Sequence, residues 1–123
     1  MQNNALSPLQ DPRVQSVIHR LEAERRRPPD GGPRANPGAS HDAYDYAEYG
    51  FSIVPEQGDL IYLLCRGVGA TRAVEFATSV GMSALYFAAA MRDNGGGKAI
   101  GAELVPAKVD TARRNLADAG LSD

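Results

Sequence analysis

Two carboxylates, Glu75 and Glu103, bracket a run of small residues that includes Ala77, Thr78, Ser79, Gly81 and Ser83. Each acid closes a short apolar stretch, and an alanine-rich helical stretch separates them. A turn of this kind faces its backbone N–H groups, and the N-terminus of the following helix, toward a bound carboxylate or phosphate. Small side chains there let a ligand approach the backbone closely. The same residues also suit a tight strand-to-helix turn capped by Ser79 or Ser83. The two acids strengthen the binding reading. Glu75 lies between Val74 and Phe76 in what reads as a buried central strand, where a carboxylate is costly unless an ammonium group or turn amides pair with it. Glu103 follows the turn by about twenty residues, where α/β nucleotide folds place an acid that accepts from both ribose hydroxyls.

The glycine spacing narrows the ligand. A dinucleotide fingerprint needs G-x-G-x-x-G, and the frame from Ala77 offers Ala77, Ser79 and Met82 instead. A nicotinamide oxidoreductase is therefore disfavoured. No G-x-x-x-x-G-K-[ST] is present, and Gly95-Gly96-Gly97-Lys98 precedes a strand, so it reads as a turn. Cys65 falls on an apolar helix face without a histidine partner and reads as packing. His19 and His41 have no second ligand at metal spacing, so no metal site is expected. Tyr44, Tyr46 and Tyr49 read as loop aromatics.

The elements that must position the two acids follow from local signals. Asp11-Pro12 starts a helix whose Val14, Val17, Ile18 and Leu21 share one face, and Pro28-Pro29 ends it. Residues 28–38 are mostly Pro and Gly, and residues 40–50 are polar and Tyr-rich. Pro55 opens a second helix, with Leu60, Ile61, Leu63 and Leu64 expected on its buried side and Gly67 and Gly69 at its end. Residues 73–76 form a strand. A helix from about Gly81 to Arg92 follows, carrying Met82, Leu85, Ala88, Ala89 and Met91, and residues 99–103 form a second strand. Pro106 opens a last helix with Val109, Ala112 and Leu116 inward, Gly120 as its C-cap and Leu121 as the hydrophobic contact. Strand, helix, strand, helix in succession predicts a right-handed crossover and a parallel sheet, hence an α/β fold.

With 123 residues, 43% of them apolar and 23% charged, the chain suits one small globular domain. A net charge of −2 gives no reason to expect nucleic acid or an anionic membrane as partner. Arg25-Arg26-Arg27 reads as the solvated end of the first helix. The single cysteine allows no internal disulfide. No apolar run spans a bilayer, and the N-terminal residues lack the basic start and apolar core of a signal peptide, so the expected location is cytoplasmic.

Residues 75–83 (EFATSVGMS) resemble the first motif, E-x-G-x-x-x-G-x-S, of class I S-adenosylmethionine-dependent methyltransferases. They are most similar to the small O-methyltransferases related to the catechol and caffeoyl-coenzyme A enzymes. The likeness takes in Ile53 to Gly58, the 60–64 helix, Ile100 to Glu103, Pro106, and Ala112 to Leu121, and covers roughly residues 50–123. It implies S-adenosylmethionine as cofactor and methyl transfer to a hydroxyl of a small-molecule acceptor. By position, Glu75 would meet the methionine amino end and Ala77 and Thr78 would line the cofactor's path with backbone. Ser83 would hold the methionine carboxylate, Glu103 would bind the ribose, and Ser52 matches a small hydroxyl residue of the closing loop. Ala77 stands where the family has glycine, so its methyl group is expected to crowd the cofactor or, at positive φ, to strain the turn.

The family's third strand, its acceptor base and the carboxylate and amide ligands of its cation-dependent members have no counterpart here. The expectation is therefore the N-terminal portion of a Rossmann-like domain with an incomplete sheet and no nameable catalytic residue. Residues 1–27 would form an N-terminal segment and helix, residues 28–50 a linker, and residues 51–123 the partial cofactor-binding domain. The alternative is a non-catalytic fragment or assembly component, completed by a second chain or by homo-oligomerisation, because open sheet edges favour pairing.

Overall fold

Proline marks the first turn of three of the four α-helices, as its fixed φ and missing N–H allow. These are α1 (Pro12–Ala23), α2 (Pro55–Gly67) and α4 (Pro106–Asp118) in the computed structural model, which describes residues 6–122. Residues 1–5, part of the stretch read for a signal peptide, and residue 123 lie outside the described residues. Asp11 caps α1 by accepting from the amides of Arg13 at 2.8 Å and Val14 at 3.1 Å. At the start of α2, the Gln57 side chain accepts from the Val54 amide at 3.1 Å.

Two strands, β1 (Arg72–Phe76) and β2 (Lys98–Ala102), pair in parallel, with Arg72 opposite Lys98 and Phe76 opposite Ala102. The helix α3 (Met82–Asp93) crosses between them, and α4 follows β2. Four α-helices and a two-stranded parallel sheet thus make a mixed α/β unit among the described residues. The long connection from α1 to α2 is built of turns and one 3-10 turn (Ala43–Tyr46), and the Gly50 amide closes it onto the Arg26 carbonyl at 3.0 Å.

The core is organised on α3, which touches every other helix and both strands. Its Met82, Leu85, Tyr86, Ala89, Ala90 and Met91 are buried. They meet Leu9, Val14, Val17, Ile18 and Leu21 from the α1 side and Tyr62 from α2. The face expected of α1 is the face it buries.

In α2 the expected face is wrong. Leu60, Leu63 and Leu64 are exposed, whereas Gly58 and Tyr62 are buried and Ile61 and Cys65 pack at the core margin. The cause is Gly58: a Cβ there would overlap the ring of Tyr86, so the bare backbone seats that ring and turns the 58–61–62–65 stripe inward. The strand β1 also departs from expectation. Val74 is 66% and Phe76 86% exposed, because helices cover one sheet face only and alternation leaves these two on the other. On α4, Ala112 is buried as expected, together with the polar Lys108 and Asn115, while Val109 and Leu116 are half-buried. Arg25 is not at a solvated helix end. Its side chain is only 9% exposed, pairs with Glu22 at 2.9 Å and donates to the Ile53 carbonyl.

Polar ties hold α3 in place at both flanks. Arg92 reaches Asp11 at 2.8 Å and its neighbour Asp93 at 2.9 Å, and the Tyr62 hydroxyl donates to Asp93 at 2.6 Å. The Asn94 amide bonds the carbonyls of Cys65 and Ala70, fixing the α2–β1 connection. No helix among the described residues is long and apolar enough to cross a membrane.

Two measurements check these packing claims. Gly58→Ala should destabilise the chain by about 1–3 kcal/mol in urea denaturation despite alanine's better helix propensity, because the added methyl group displaces Tyr86. An unchanged midpoint would contradict that packing. Burial alone would raise the carboxyls of Asp11 and Asp93. The amides of Val14 and Arg13 with Arg92 outweigh it for Asp11, and Arg92 with Tyr62 for Asp93, so both lie below the ordinary value. A depressed carboxyl adds stability above its unfolded pKa, near pH 4, and loses it as pH falls through the folded value. Melting temperature should therefore fall below about pH 4, and Asp93→Asn should flatten part of that fall.

Candidate functional site

The β1–α3 turn takes its shape from three left-handed residues in alternation, Ala77 (φ 57°), Ser79 (φ 54°) and Gly81 (φ 93°). Gly81 supplies no side-chain cap to α3 and packs on α4: a Cβ there would lie 3.2 Å from that of Ala112. Its left-handed φ makes glycine the suited residue.

The turn is tied to the end of β2 by backbone and by one acid. The Thr78 amide donates to the Ala102 carbonyl at 3.1 Å. Glu103 accepts from the Ser79 amide at 2.7 Å through one oxygen and from the Val105 amide at 3.0 Å through the other. The Gly81 amide donates to the Thr78 carbonyl at 3.0 Å. The amides of Thr78, Ser79 and Gly81, expected to face a ligand, are thus engaged within the protein. A carboxylate offers about four lone-pair sites, so Glu103 keeps acceptor capacity beyond these two bonds.

Glu75 lies on the helix-facing side of β1 and accepts from the Ser83 hydroxyl through one oxygen. Its other oxygen, Oε1, is buried and has no hydrogen-bond partner among the described residues. The same holds for Thr78 Oγ1 and Ser79 Oγ. Thr78 is 8% exposed, and its side chain occupies the place that a Cβ on Gly101 would take. Buried polar atoms without partners each cost free energy of about 1–3 kcal/mol, and three at one strand-to-helix junction call for an explanation.

The structure therefore brings Glu75, Thr78, Ser79, Gly81, Ser83 and Glu103 to the C-terminal ends of the strands, with Ala77 exposed at the same turn. Glu75, Thr78 and Glu103 line one end of a groove of about 920 Å³. The rest of that groove runs between α3 and α4 along β2, past Phe87, Met91, Val109 and Leu116, to Gly97 and Lys98. Arg92, Lys98 and Arg113 also line it, and the two carboxylates, Glu75 and Glu103, mark the end at the turn. Ser52 is not part of this turn. It lines a separate groove with Arg25 and Phe51.

Two supporting residues escape a reading by spacing. Asn115, buried on α4, donates to the Val80 carbonyl at 2.8 Å and accepts from Arg20 at 2.9 Å, so it ties the turn to α1. Lys108, also buried on α4, stands 5.6 Å from the centre of the Phe51 ring. Burial lowers the pKa of its ammonium, against the raising effect of Glu103. Both occupy inward positions of α4, where the apolar pattern predicts only Val109, Ala112 and Leu116. Among the described residues, no group of three or more His, Cys, Asp or Glu is arranged to hold a metal ion.

No protein-family model matches the chain, and a search of curated proteins returns no match.

The strained position gives a direct test. A left-handed residue with a Cβ costs roughly 1–2 kcal/mol, and glycine returns part of that through its greater freedom when unfolded. Ala77 is exposed, so its methyl group contributes little packing. Ala77→Gly should raise stability by about 0.5–1 kcal/mol in urea denaturation. A loss of stability would show that the turn is not strained there.

Proposed function

We propose that the chain binds S-adenosylmethionine at the β1–α3 turn as part of a Rossmann-like O-methyltransferase acting on a small-molecule hydroxyl. The observation that carries this reading is the unpartnered buried oxygen of Glu75 beside the partnerless hydroxyls of Thr78 and Ser79. An acceptor-only carboxylate oxygen at the end of a parallel strand suits an ammonium group such as the amino end of an amino acid. The first-turn amides of α3 lie next to it, without a side-chain cap, and suit the neighbouring carboxylate. Glu103, with acceptor sites to spare, suits a pair of ribose hydroxyls.

The engaged amides of Thr78, Ser79 and Gly81 also bear on the choice of ligand. A diphosphate needs such amides free. S-adenosylmethionine carries no phosphate, so their internal use disfavours a dinucleotide and leaves this cofactor unaffected. Bound there, the cofactor would supply a sulfonium methyl group for in-line displacement by an acceptor oxygen. The residues of the turn would bind and orient. Glu75 takes the amino group, the α3 N-terminus with the Ser83 backbone amide takes the carboxylate, Ala77 and Thr78 give a backbone wall, and Glu103 holds the ribose.

The exposed sheet face supports a second reading. Val74, Phe76 and Ile100 on that face, with Leu60, Leu63 and Leu64 of α2, are apolar and uncovered among the described residues. Both strands have an unpaired edge. A second copy or a complementing chain would cover them, making the chain an assembly component.

Titration calorimetry with S-adenosylmethionine and with its demethylated product should show binding of both. Glu75→Gln removes the charge and keeps the shape, and should weaken binding about tenfold or more. No binding by a chain with a folded circular dichroism spectrum would overturn the cofactor reading, and binding of NAD instead would favour an oxidoreductase. Sedimentation of the same sample reads the second proposal: a monomer at all concentrations would count against self-association.

A further inference from the structure

The connection between α1 and α2 folds back to make a groove of about 570 Å³, well away from the chain's acidic average. Arg25, Arg27, Arg34 and His41 line it, and none of its lining residues is acidic. In sequence, Arg25 and Arg27 belong to the basic run at the helix end, whereas Arg34 and His41 lie apart from it in the Pro/Gly segment and the polar loop. Neither Arg27 nor Arg34 has an ion-pair partner among the described residues. Arg25 spends one terminal nitrogen on Glu22 and the Ile53 carbonyl, and its Nε is buried without a partner. Asp30 and Asp45 act on Tyr46 from outside the lining, and the guanidinium groups that line the groove offer charge-assisted donors to an oxyanion.

The walls add shape. Pro28 and Pro33 flank the groove, and Tyr46 and Phe51 stand in it as an edge-to-face pair with centres 5.5 Å apart. The groove is built by fixed turns. The Gly31 amide bonds the Pro28 carbonyl at 3.0 Å, and the amides of Ala35 and Asn36 bond the Gly32 carbonyl at 3.1 and 2.9 Å. Gly32 is left-handed (φ 69°), and a Cβ there would touch Pro28 and the Phe51 ring at 3.4 Å, so the loop lies close against that ring. A volume of this size holds a small organic molecule, and a preformed wall lowers the cost of binding one.

We propose that this groove is a binding site for a small aromatic oxyanion. The ring of a planar molecule bearing a carboxylate or phosphate would lie against Phe51, Tyr46 and the prolines. Its anionic group would meet Arg27 and Arg34, with Arg25 behind them. The groove shares no residue with the β1–α3 turn, so the inference stands apart from the methyltransferase reading.

The test uses the whole chain and four probes, phenyl phosphate, benzoate, inorganic phosphate and phenol, followed by calorimetry and by NMR of the Tyr46 and Phe51 rings. Phenyl phosphate or benzoate should bind in the millimolar range or tighter, shift both rings, and exceed inorganic phosphate and phenol. Which of the two wins identifies the anionic group. Arg27→Ala with Arg34→Ala should weaken binding about tenfold, as two screened charge pairs would. Arg72→Ala with Arg114→Ala removes the same charge elsewhere and should leave binding unchanged. No binding of either aromatic anion by the folded wild-type chain would overturn the proposal. So would inorganic phosphate binding as tightly as phenyl phosphate, or an equal loss in both double variants.

Discussion

One carboxylate couples the two strand-to-helix turns of this molecule. Glu103 holds the Ser79 amide of the first turn and the Val105 amide of the second, one with each oxygen. Without it, two buried or half-buried amides would lose their acceptor, and the alternating left-handed run from Ala77 to Gly81 would lose its fixed point. The entry of α3 depends on that run, and α3 is the element on which every other helix and both strands pack. Asn115 reinforces the same junction from the α4 side by binding the Val80 carbonyl. Local backbone strain is thus held by polar contacts that come from elements distant in sequence.

The order of elements was legible because it rests on local chemistry. Proline at the first turn, aspartate at a cap and glycine past a helix end act within a few residues, and they placed α1, α2 and α4. The parallel pairing followed from the strand–helix–strand order. The facing of α2 was not legible in the same way. Its leucines outnumber its small residues, and counting apolar side chains chose the wrong stripe. The contact that decides the matter is a ring from α3 resting on a glycine, and only the pairing of two helices shows it. The burial of β1 failed for a related reason, since a strand's pattern does not say how many layers cover it.

At the candidate site, the residues picked out by spacing lie together in the structure, and their bonds are not legible from spacing. Glu75, Ser83 and Glu103 stand at one end of the sheet, as the resemblance to a methyltransferase motif implies. That the turn amides are consumed internally could not be read from residue types, because it depends on the backbone curling back through φ values of opposite sign. The basic groove is only partly legible, through the Arg25-Arg26-Arg27 run. Arg25, Arg27, Arg34 and His41 looked like a helix end and scattered loop residues, and turns at Gly31, Gly32 and Gly50 bring them together.

These bonds bear on what a ligand at the first turn has to offer. The atoms left without partners are a carboxylate oxygen and two hydroxyls, whereas the amides already have acceptors. A ligand that satisfies them must bring a donor to Glu75, and a cationic amine does so with the strongest pairing available to a buried carboxylate. A phosphate brings only acceptors and negative charge, so it would leave Glu75 Oε1 unsatisfied and add repulsion. The sign of the unmet demand favours a ligand with a positive end. The basic groove between α1 and α2 makes the opposite demand. On the two proposals, a chain of formal charge −2 would offer a carboxylate to one ligand and guanidinium groups to another.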